Sequence, residues 1–195
     1  MRKLQIDQYG LTFVEALVAL AISAVIGGLL VALIVNSAGL FYKESSKLQG
    51  GLDINDSLSK VRESIKEANS VATSYVDGLT TYTSSQTQLV LKLPSQDSSG
   101  NIIQNTYDHY VYFKDQNYLR FKIFPDAASV IKMQDQILTN TLDSIKFQYF
   151  DLAIPPQEVV PSTASKVRVS LTLKKRVGLS FETNIATSEV LLRND

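Results

Sequence analysis

An apolar run from Leu11 to Val35 constrains this chain more than any other feature. Between Ala16 and Val35, only Ser23 and the pair Gly27-Gly28 interrupt Ala, Val, Leu and Ile. This is about 20 residues, the length that an α-helix needs to cross a hydrocarbon core of about 30 Å. A single segment in lipid satisfies its backbone hydrogen bonds only as a helix. The run therefore predicts a membrane-spanning helix.

One acid, Glu15, lies near the start of this run. A charged side chain at the bilayer centre costs about 2.5–3.5 kcal/mol on insertion scales and less near the interface. Two interpretations are open: Glu15 reaches the headgroups, or it pairs with a cation of a neighbouring chain. If the chain is cut after Gly10, Leu11 carries a free α-amine at the level of a neighbour's Glu15. Such a pair in apolar surroundings is favourable only when both charges are present.

The segment from Gly10 to Ile22, GLTFVEALVALAI, resembles the cleavage and methylation signal of the type IV pilin superfamily. That superfamily includes major and minor pilins, secretion pseudopilins and competence pilins. The resemblance implies that a prepilin peptidase, which is also an N-methyltransferase, cuts after Gly10 and methylates Leu11. It also implies that Glu15 guides assembly with other pilins or pseudopilins, on a platform protein in the membrane.

The signal departs from the usual family pattern in its leader and in its first mature residue. Gln8 and Tyr9 stand where a basic residue is usual before the Gly, and Leu11 stands where Phe is most frequent. The apolar helix also lacks the Pro of many major pilins. Its weak point is Gly27-Gly28, for which local loosening and close helix approach are both open interpretations.

Composition excludes several classes of function. The chain has 19 basic and 19 acidic residues, so it lacks the basic surplus typical of nucleic-acid-binding domains. It has no Cys and one His. Disulfides, a cysteine-ligated zinc site and a thiol nucleophile are therefore excluded, and a transition-metal site is disfavoured. We expect no cofactor and no enzymatic activity, and nucleic acid is a partner that nothing in the sequence indicates.

The chain divides into four predicted segments. Residues 1–10 are a leader, 11–35 a transmembrane and filament-core helix, 36–73 an amphipathic continuation of that helix, and 74–195 an antiparallel β-sheet head. The continuation is predicted to soften at Gly50-Gly51 and to bury a stripe of apolar residues that recur mostly at threes and fours: Leu48, Leu52, Leu58, Val61, Ile65, Ala68 and Ala72.

The head has the alternating pattern of half-buried strands. We expect Pro94 to end the first of them, and we expect one antiparallel sheet with one face packed on the second half of the helix. This is the α+β, pilin-like plan, and the last hairpin is similar to those of minor pilins and minor pseudopilins with larger heads. The predicted strands are Thr87–Leu93, Thr106–Lys114, Tyr118–Phe124, Ser129–Leu138, Leu142–Leu152, Lys166–Lys175 and Phe181–Leu192.

Four features of the head were weighed as functional sites. His109 has no nucleophile beside it, and Asp108 is predicted to face the other side of the strand. The turn 97–101, DSSGN, has oxygen ligands but fewer acids than a calcium loop needs. The basic run 174–176 is interpreted as a solvated turn or a DNA contact. An aromatic cluster fits core packing or a binding patch, and comprises Tyr107, Tyr110, Tyr112, Phe113 and Tyr118.

The sequence therefore predicts a structural minor subunit of a type IV pilus, a type II secretion pseudopilus or a competence pseudopilus. Arg2 and Lys3 precede the span, which predicts a cytoplasmic N-terminus, an extracytoplasmic head and a single pass through the cytoplasmic membrane. A tip adhesin, a DNA-binding pilin and a plain membrane-anchored domain are the alternatives. Which system uses the chain stays open.

Overall fold

The computed structural model describes residues 12–177 and 180–193. It contains one helix, α1 (Phe13–Glu67), a short 3₁₀ turn at Pro161–Thr163 and ten strands. The chain divides into two compact units, one up to Ser45 and one from Ser46 onward. The strands are β1 (Ser70–Val71), β2 (Ser74–Asp77), β3 (Thr80–Thr83), β4 (Gln88–Gln96), β5 (Ile102–Asp115), β6 (Tyr118–Phe124), β7 (Gln134–Thr139), β8 (Leu142–Phe150), β9 (Lys166–Val177) and β10 (Ser180–Leu191).

The first unit is the apolar part of α1. From Phe13 to Ser45 every side chain is exposed, and the helix is regular through Gly27-Gly28. The segment is long and apolar enough to cross a membrane. Exposure of an apolar helix to water on all sides is unfavourable, because the transfer of each CH₂ group from water to an apolar environment is favourable by about 0.8 kcal/mol. A single N-terminal helix of this length and apolarity is consistent with a single-pass membrane anchor.

The second unit contains the rest of α1, which buries one stripe against the head. The stripe predicted from the sequence is wrong at its start, because Leu48 and Leu52 are exposed. The 3.6-residue period through Leu58 leads back to Ile54 and Gly50 instead. Small residues on the stripe let the helix lie close to the strands. The buried residues of α1 are Gly50, Ile54, Ser57, Leu58, Val61, Ser64 and Ile65.

Helix α1 ends earlier than the predicted boundary at residue 73. Its last residue is Glu67, and the backbone N–H of Asn69 already donates to the carbonyl of Lys92 at 2.9 Å. Strand β1 then pairs with β4 through Ser70 and Val71. The strand pairing satisfies backbone groups that a longer helix would have used.

The strands form three antiparallel sheets, where the sequence predicted one. Their orders are β1-β4-β5-β6-β7, β10-β9-β8 and β2-β3. Strand β6 has the predicted bounds, whereas β4 continues through Pro94 to Gln96 and β7 begins at Gln134. The pairing of β4 with β5 shifts register between Pro94 and Gln96. Proline is tolerated at such an irregularity because it has no N–H to donate to the ladder.

The main core lies where the stripe of α1, the five-stranded sheet and the three-stranded sheet meet. Phe121, Phe147 and Tyr112 are its largest fully buried side chains. Polar groups in it are satisfied: the hydroxyls of Ser64 and Tyr112 are hydrogen-bonded at 2.7 Å, and that of Tyr149 donates to the carbonyl of Ser85 at 2.8 Å. The unit is thus α+β, with helix and sheets sharing one core.

A second, smaller cluster lies where the β2–β3 hairpin packs on the five-stranded sheet. Tyr82 of the hairpin packs near Phe124, with ring centroids 5.4 Å apart. The buried members are Ala72, Tyr82, Val90, Val111 and Phe124. The five-stranded sheet is therefore buried on both faces, which explains the continuous apolar run Leu89–Leu91 in β4.

Candidate functional site: the start of helix α1 and the surface of the head

Glu15 closes the first turn of α1 together with Thr12. The backbone N–H and the hydroxyl of Thr12 both donate to Oε2 of Glu15 at 2.9 Å. The N–H of Glu15 in turn lies 3.3 Å from Oγ1 of Thr12. This is a capping box, in which Thr and Glu three residues apart satisfy each other's backbone donors. The Thr-x-x-Glu spacing signals it in the sequence, and the sequence analysis missed it.

The capping box occupies one of the two carboxylate oxygens of Glu15. Gly10 and Leu11, the other two predicted site residues, lie outside the described residues. In the described part of the chain, the carboxylate of Glu15 already accepts two hydrogen bonds on one oxygen. Both bonds go to Oε2, so the other oxygen, Oε1, can accept a cation without displacing Thr12. The carboxylate is oriented for such a contact because Thr12 fixes its position at the helix start.

Two exposed aromatic residues lie near the other end of the apolar segment. Phe41 and Tyr42 are 72% and 71% exposed, and their ring centroids lie 6.3 Å apart at a steep angle. Tyrosine, like tryptophan, is enriched at the boundary between bilayer and water because its ring carries a polar group. Lys43 follows them directly. These residues indicate an interfacial end of the span, a signal that the sequence analysis passed over.

His109 and Asp108 are not brought together. The His109 ring stacks on Tyr75 with centroids 4.4 Å apart. Asp108 is fully buried, and its carboxylate accepts hydrogen bonds from the hydroxyls of Ser95 and Ser129, each at 2.8 Å. Burial and then Lys92 lower the pKa of His109. His109 therefore packs against an aromatic ring, and Asp108 accepts hydrogen bonds from two serines. The two side chains do not have the base–acid geometry that catalysis would need.

The turn at residues 97–101 uses its acid for the backbone. Oδ1 of Asp97 accepts hydrogen bonds from the N–H groups of Ser99 and Asn101 at 2.8 and 2.9 Å. The Asn101 N–H bond is the main cause of the lowered pKa of Asp97. In the described ranges, no group of three or more His, Asp or Glu side chains is placed to hold a metal ion. The turn therefore has an ordinary structural explanation.

The aromatic cluster of the β5–β6 hairpin divides between core and surface. Tyr110 and Tyr112 are buried in the main core, and Tyr118 is partly exposed. Phe113 packs on the second cluster, 5.7 Å from Tyr82. Burial, with Asp108 and Glu67 contributing, raises the pKa of Tyr110 to about 12. Core packing thus accounts for most of the cluster.

The basic run 174–176 lies beside a cleft of about 270 Å³ at the end of β9. The carbonyl of Thr141 accepts the backbone N–H of Lys174 at 2.8 Å. The side chain of Lys174 lies over the ring of Phe181, with Nζ 5.0 Å from its centroid. The cleft is lined by Asn117, Asn140, Thr141, Leu142, Asp143, Lys174, Lys175, Arg176 and Phe181.

The segment around Glu15 is therefore the best candidate for a site of assembly, and the basic end of β9 the best candidate for a contact of the head. Comparison of the chain with models of protein families and with curated proteins gives no match.

Proposed function

We propose that this chain is a minor pilin or minor pseudopilin, a structural subunit that is assembled into a filament through its N-terminal helix. One observation carries the proposal: α1 is apolar and exposed on all sides up to Ser45, and begins at a single oriented acid, Glu15. A plain anchor needs only the apolar length, and in it Glu15 would serve the capping box alone. A filament core uses both features.

In the proposed filament, the apolar segment passes from lipid into a bundle of like helices. Lipid tails are as apolar as Leu, so this transfer gains little from burial itself and depends on packing and polar contacts. The α-amine of Leu11, freed by cleavage after Gly10, meets Glu15 of the adjoining subunit. The pair sets the axial register, because a carboxylate left unpaired in apolar surroundings carries its full desolvation cost.

The second half of α1 offers further surface for contacts between subunits. Leu48 and Leu52 are 71% and 58% exposed and lie one turn apart on the outer side of the helix. Neighbouring helices in a bundle bury such pairs. The prepilin peptidase and N-methyltransferase, the assembly platform protein and other pilins or pseudopilins are the proposed partners. The sequence contains no nucleotide-binding loop, so extraction from the membrane is assigned to other machinery.

Two substitutions at Glu15 test the proposal and separate its charge from its capping role. Glu15→Gln keeps the side-chain oxygen that closes a capping box but removes the charge. Glu15→Ala removes both. We expect both variants to insert into the membrane at the normal level and to be at least tenfold depleted from sheared filaments.

The outcomes of this test are distinct. If Glu15→Gln is incorporated normally and Glu15→Ala is not, Glu15 acts through the helix cap, and the proposed charge pair is wrong. If both variants are incorporated normally, the assembly role is wrong altogether. The matched control is Asp56→Asn, which removes one exposed carboxylate from the second half of α1 and is expected to leave incorporation unchanged.

A plain membrane-anchored extracytoplasmic domain is the second candidate. The exposed apolar helix supports it equally, since anchoring needs only length and apolarity. The two candidates differ at the N-terminus: a plain anchor keeps residues 1–10, whereas a pilin loses them.

A further inference from the structure

Two turns and the described ends of β9 and β10 meet at one end of the second unit. The β9–β10 hairpin, the β5–β6 turn at Asn117 and the β7–β8 turn at Asn140 line the cleft described above. Backbone hydrogen bonds connect them: Leu142 N–H donates to Asn117 at 2.8 Å, and Lys174 N–H to Thr141 at 2.8 Å. We call the exposed part of this end the basic tip, defined by Lys174, Lys175, Arg176 and Phe181.

The basic tip lies at the end of the unit where the chain enters from the apolar segment. A Cβ on Gly50 would lie 2.5 Å from Nδ2 of Asn184, and the N–H of Arg193 donates to the carbonyl of Ala68 at 3.0 Å. Strand β10 therefore runs in the same direction as α1. The start of β10 lies beside the start of this part of the helix.

Element lengths show how far the tip extends. Ser180 precedes Asn184 by four strand residues, about 14 Å. Ser46 precedes Gly50 by four helix residues, about 6 Å. The basic tip thus reaches past Ser46, the first residue of the unit. Tyr42 lies only four residues earlier, a span of at most about 14 Å of chain even when extended.

The chemistry of the basic tip suits an anionic surface with an apolar layer beneath it. Lys174, Lys175 and Arg176 are all exposed, and Phe181 is 63% exposed beside them. Glu182 follows Phe181, and both of its carboxylate oxygens are buried. Successive strand residues alternate between faces, so Lys174, Arg176 and Phe181 share one face of the hairpin, whereas Lys175 lies on the other face opposite Glu182. The first face therefore presents two cations and an aromatic ring, with Asp143 as the exposed acid in the cleft lining.

We propose that the basic tip binds the anionic headgroups of phospholipids in the membrane that holds the apolar segment of the same chain. The proposal rests on the membrane anchor and not on filament assembly. The tether makes binding intramolecular in effect, so a small cationic patch encounters headgroups at high effective concentration. A polynucleotide is the less favoured ligand, because the chain carries no net charge and the basic patch is small.

Binding of this kind holds the head at the membrane surface before assembly. Extraction of the helix from the bilayer then removes the headgroups from reach and frees the tip. The basic tip can contact a neighbouring subunit only after the chain has left the membrane. The membrane-bound pool and the assembled state thus differ in what the tip contacts.

A proximity measurement on the full chain tests the proposal. The sequence has no Cys, so Ser180→Cys gives one site for a fluorophore at the tip. The labelled protein is reconstituted into vesicles of phosphatidylcholine alone or with about a third phosphatidylglycerol, each with a nitroxide quencher on a fraction of the headgroups. We expect at least threefold more quenching in the anionic vesicles, and loss of that excess at about 0.5 M salt, where charges are screened within a few ångströms.

Two triple variants locate the effect. Lys174→Gln, Lys175→Gln and Arg176→Gln together should reduce quenching to the level of the neutral vesicles. The control removes the same charge from exposed positions elsewhere in the unit, through Arg62→Gln, Lys66→Gln and Lys132→Gln, and should leave quenching unchanged. The lipid and salt comparisons use the labelled chain without either set of substitutions, so they decide the question even if a triple variant misfolds.

Equal quenching in neutral and anionic vesicles would overturn the proposal. So would quenching that persists in the basic-tip variant, or binding of a single-stranded oligonucleotide that this variant loses while vesicle quenching stays the same. Flotation of the protein with neutral vesicles is measured in parallel. A protein that does not float with the vesicles is not membrane-anchored, and this result would overturn the lipid-binding proposal. A protein that floats but does not assemble into filaments would contradict only the proposed function.

Discussion

The two parts of helix α1 share one secondary structure but bury very different amounts of surface. Up to Ser45 each side chain is exposed, although the run from Ala16 to Val35 is apolar apart from Ser23. From Ser46 onward polar residues predominate, and a stripe through Ile54, Val61 and Ile65 is buried by strands of the same chain. The described strands of this chain do not cover the first part of the helix. They do cover the buried stripe of the second part.

This difference separates local from external causes of stability. The second part of α1 is stabilised by tertiary packing, as most helices of globular proteins are. The first part is long and apolar enough for lipid, where a helix satisfies its own backbone groups. Substitutions in the two parts should therefore affect different measurements. Paired substitutions, one in each part, test this difference.

The largest expected difference is between two Ile→Ala substitutions. Ile65 is fully buried in the main core, and Ile65→Ala should lower the free energy of unfolding of the head by about 2–5 kcal/mol. Ile26 is exposed in the first unit, and Ile26→Ala should change it by less than about 0.5 kcal/mol. Denaturant unfolding of the full chain in detergent, followed by tyrosine fluorescence, measures both. Equal losses would contradict the division into two parts.

Alkaline pH should destabilise the head and leave the run from Ala16 to Leu40 unaffected. The pKa of Tyr110 is raised to about 12 from its ordinary value of 10.0, mainly by burial, so the folded state favours the neutral hydroxyl. This stabilisation is complete below pH 10 and is lost as the pH rises towards 12, with a loss on the order of 2 kcal/mol. Burial also raises the pKa values of Tyr112 and Tyr149.

Two spectroscopic signals separate the units in this pH experiment. The near-ultraviolet circular dichroism of the head should weaken between pH 10 and 12, and Tyr110→Phe should reduce the loss. The run from Ala16 to Leu40 has no titratable side chain, so its helical signal in lipid should persist. A head whose stability is flat over this pH range would show that Tyr110 is not buried as described.

The smallest expected effects come from two adjacent glycines. In the described structure a Cβ on Gly51 meets no atom within 4 Å, so Gly51→Ala should raise the free energy of unfolding by up to about 1 kcal/mol through helix propensity. On Gly50 the same Cβ would lie 2.5 Å from Asn184. Gly50→Ala should therefore gain less or destabilise, and Asn184→Ala should restore its gain. Identical effects at the two glycines would contradict the close contact between α1 and β10.

Local patterns were sufficient to predict much of the fold. The alternation in Tyr118–Phe124 predicts β6 with its observed bounds, and the long apolar run predicts the membrane-spanning helix. The phase of the buried stripe could not be predicted, because Gly50 is buried through a contact with Asn184, far away in the sequence. The predicted stripe included Leu48 and Leu52, which lie on the exposed side of the helix.

The division into three sheets was also beyond the sequence patterns. Which strands pair is decided by contacts between remote segments, and the β2–β3 hairpin lies in a polar stretch with only a turn signal at Asp77-Gly78. For the site, the Thr12–Glu15 capping box follows from sequence spacing alone. The roles of Gly10 and Leu11 stay predictions, because they concern processing and contacts with other chains.

Intact mass spectrometry of the protein isolated from its native membrane tests the proposed processing most directly. A pilin or pseudopilin should yield a mature chain that begins at Leu11 and carries one N-terminal methyl group. The same chain should revert to full length in cells that lack prepilin peptidase activity. A native protein that still begins at Met1 would contradict the proposed function and leave α1 as a plain membrane anchor.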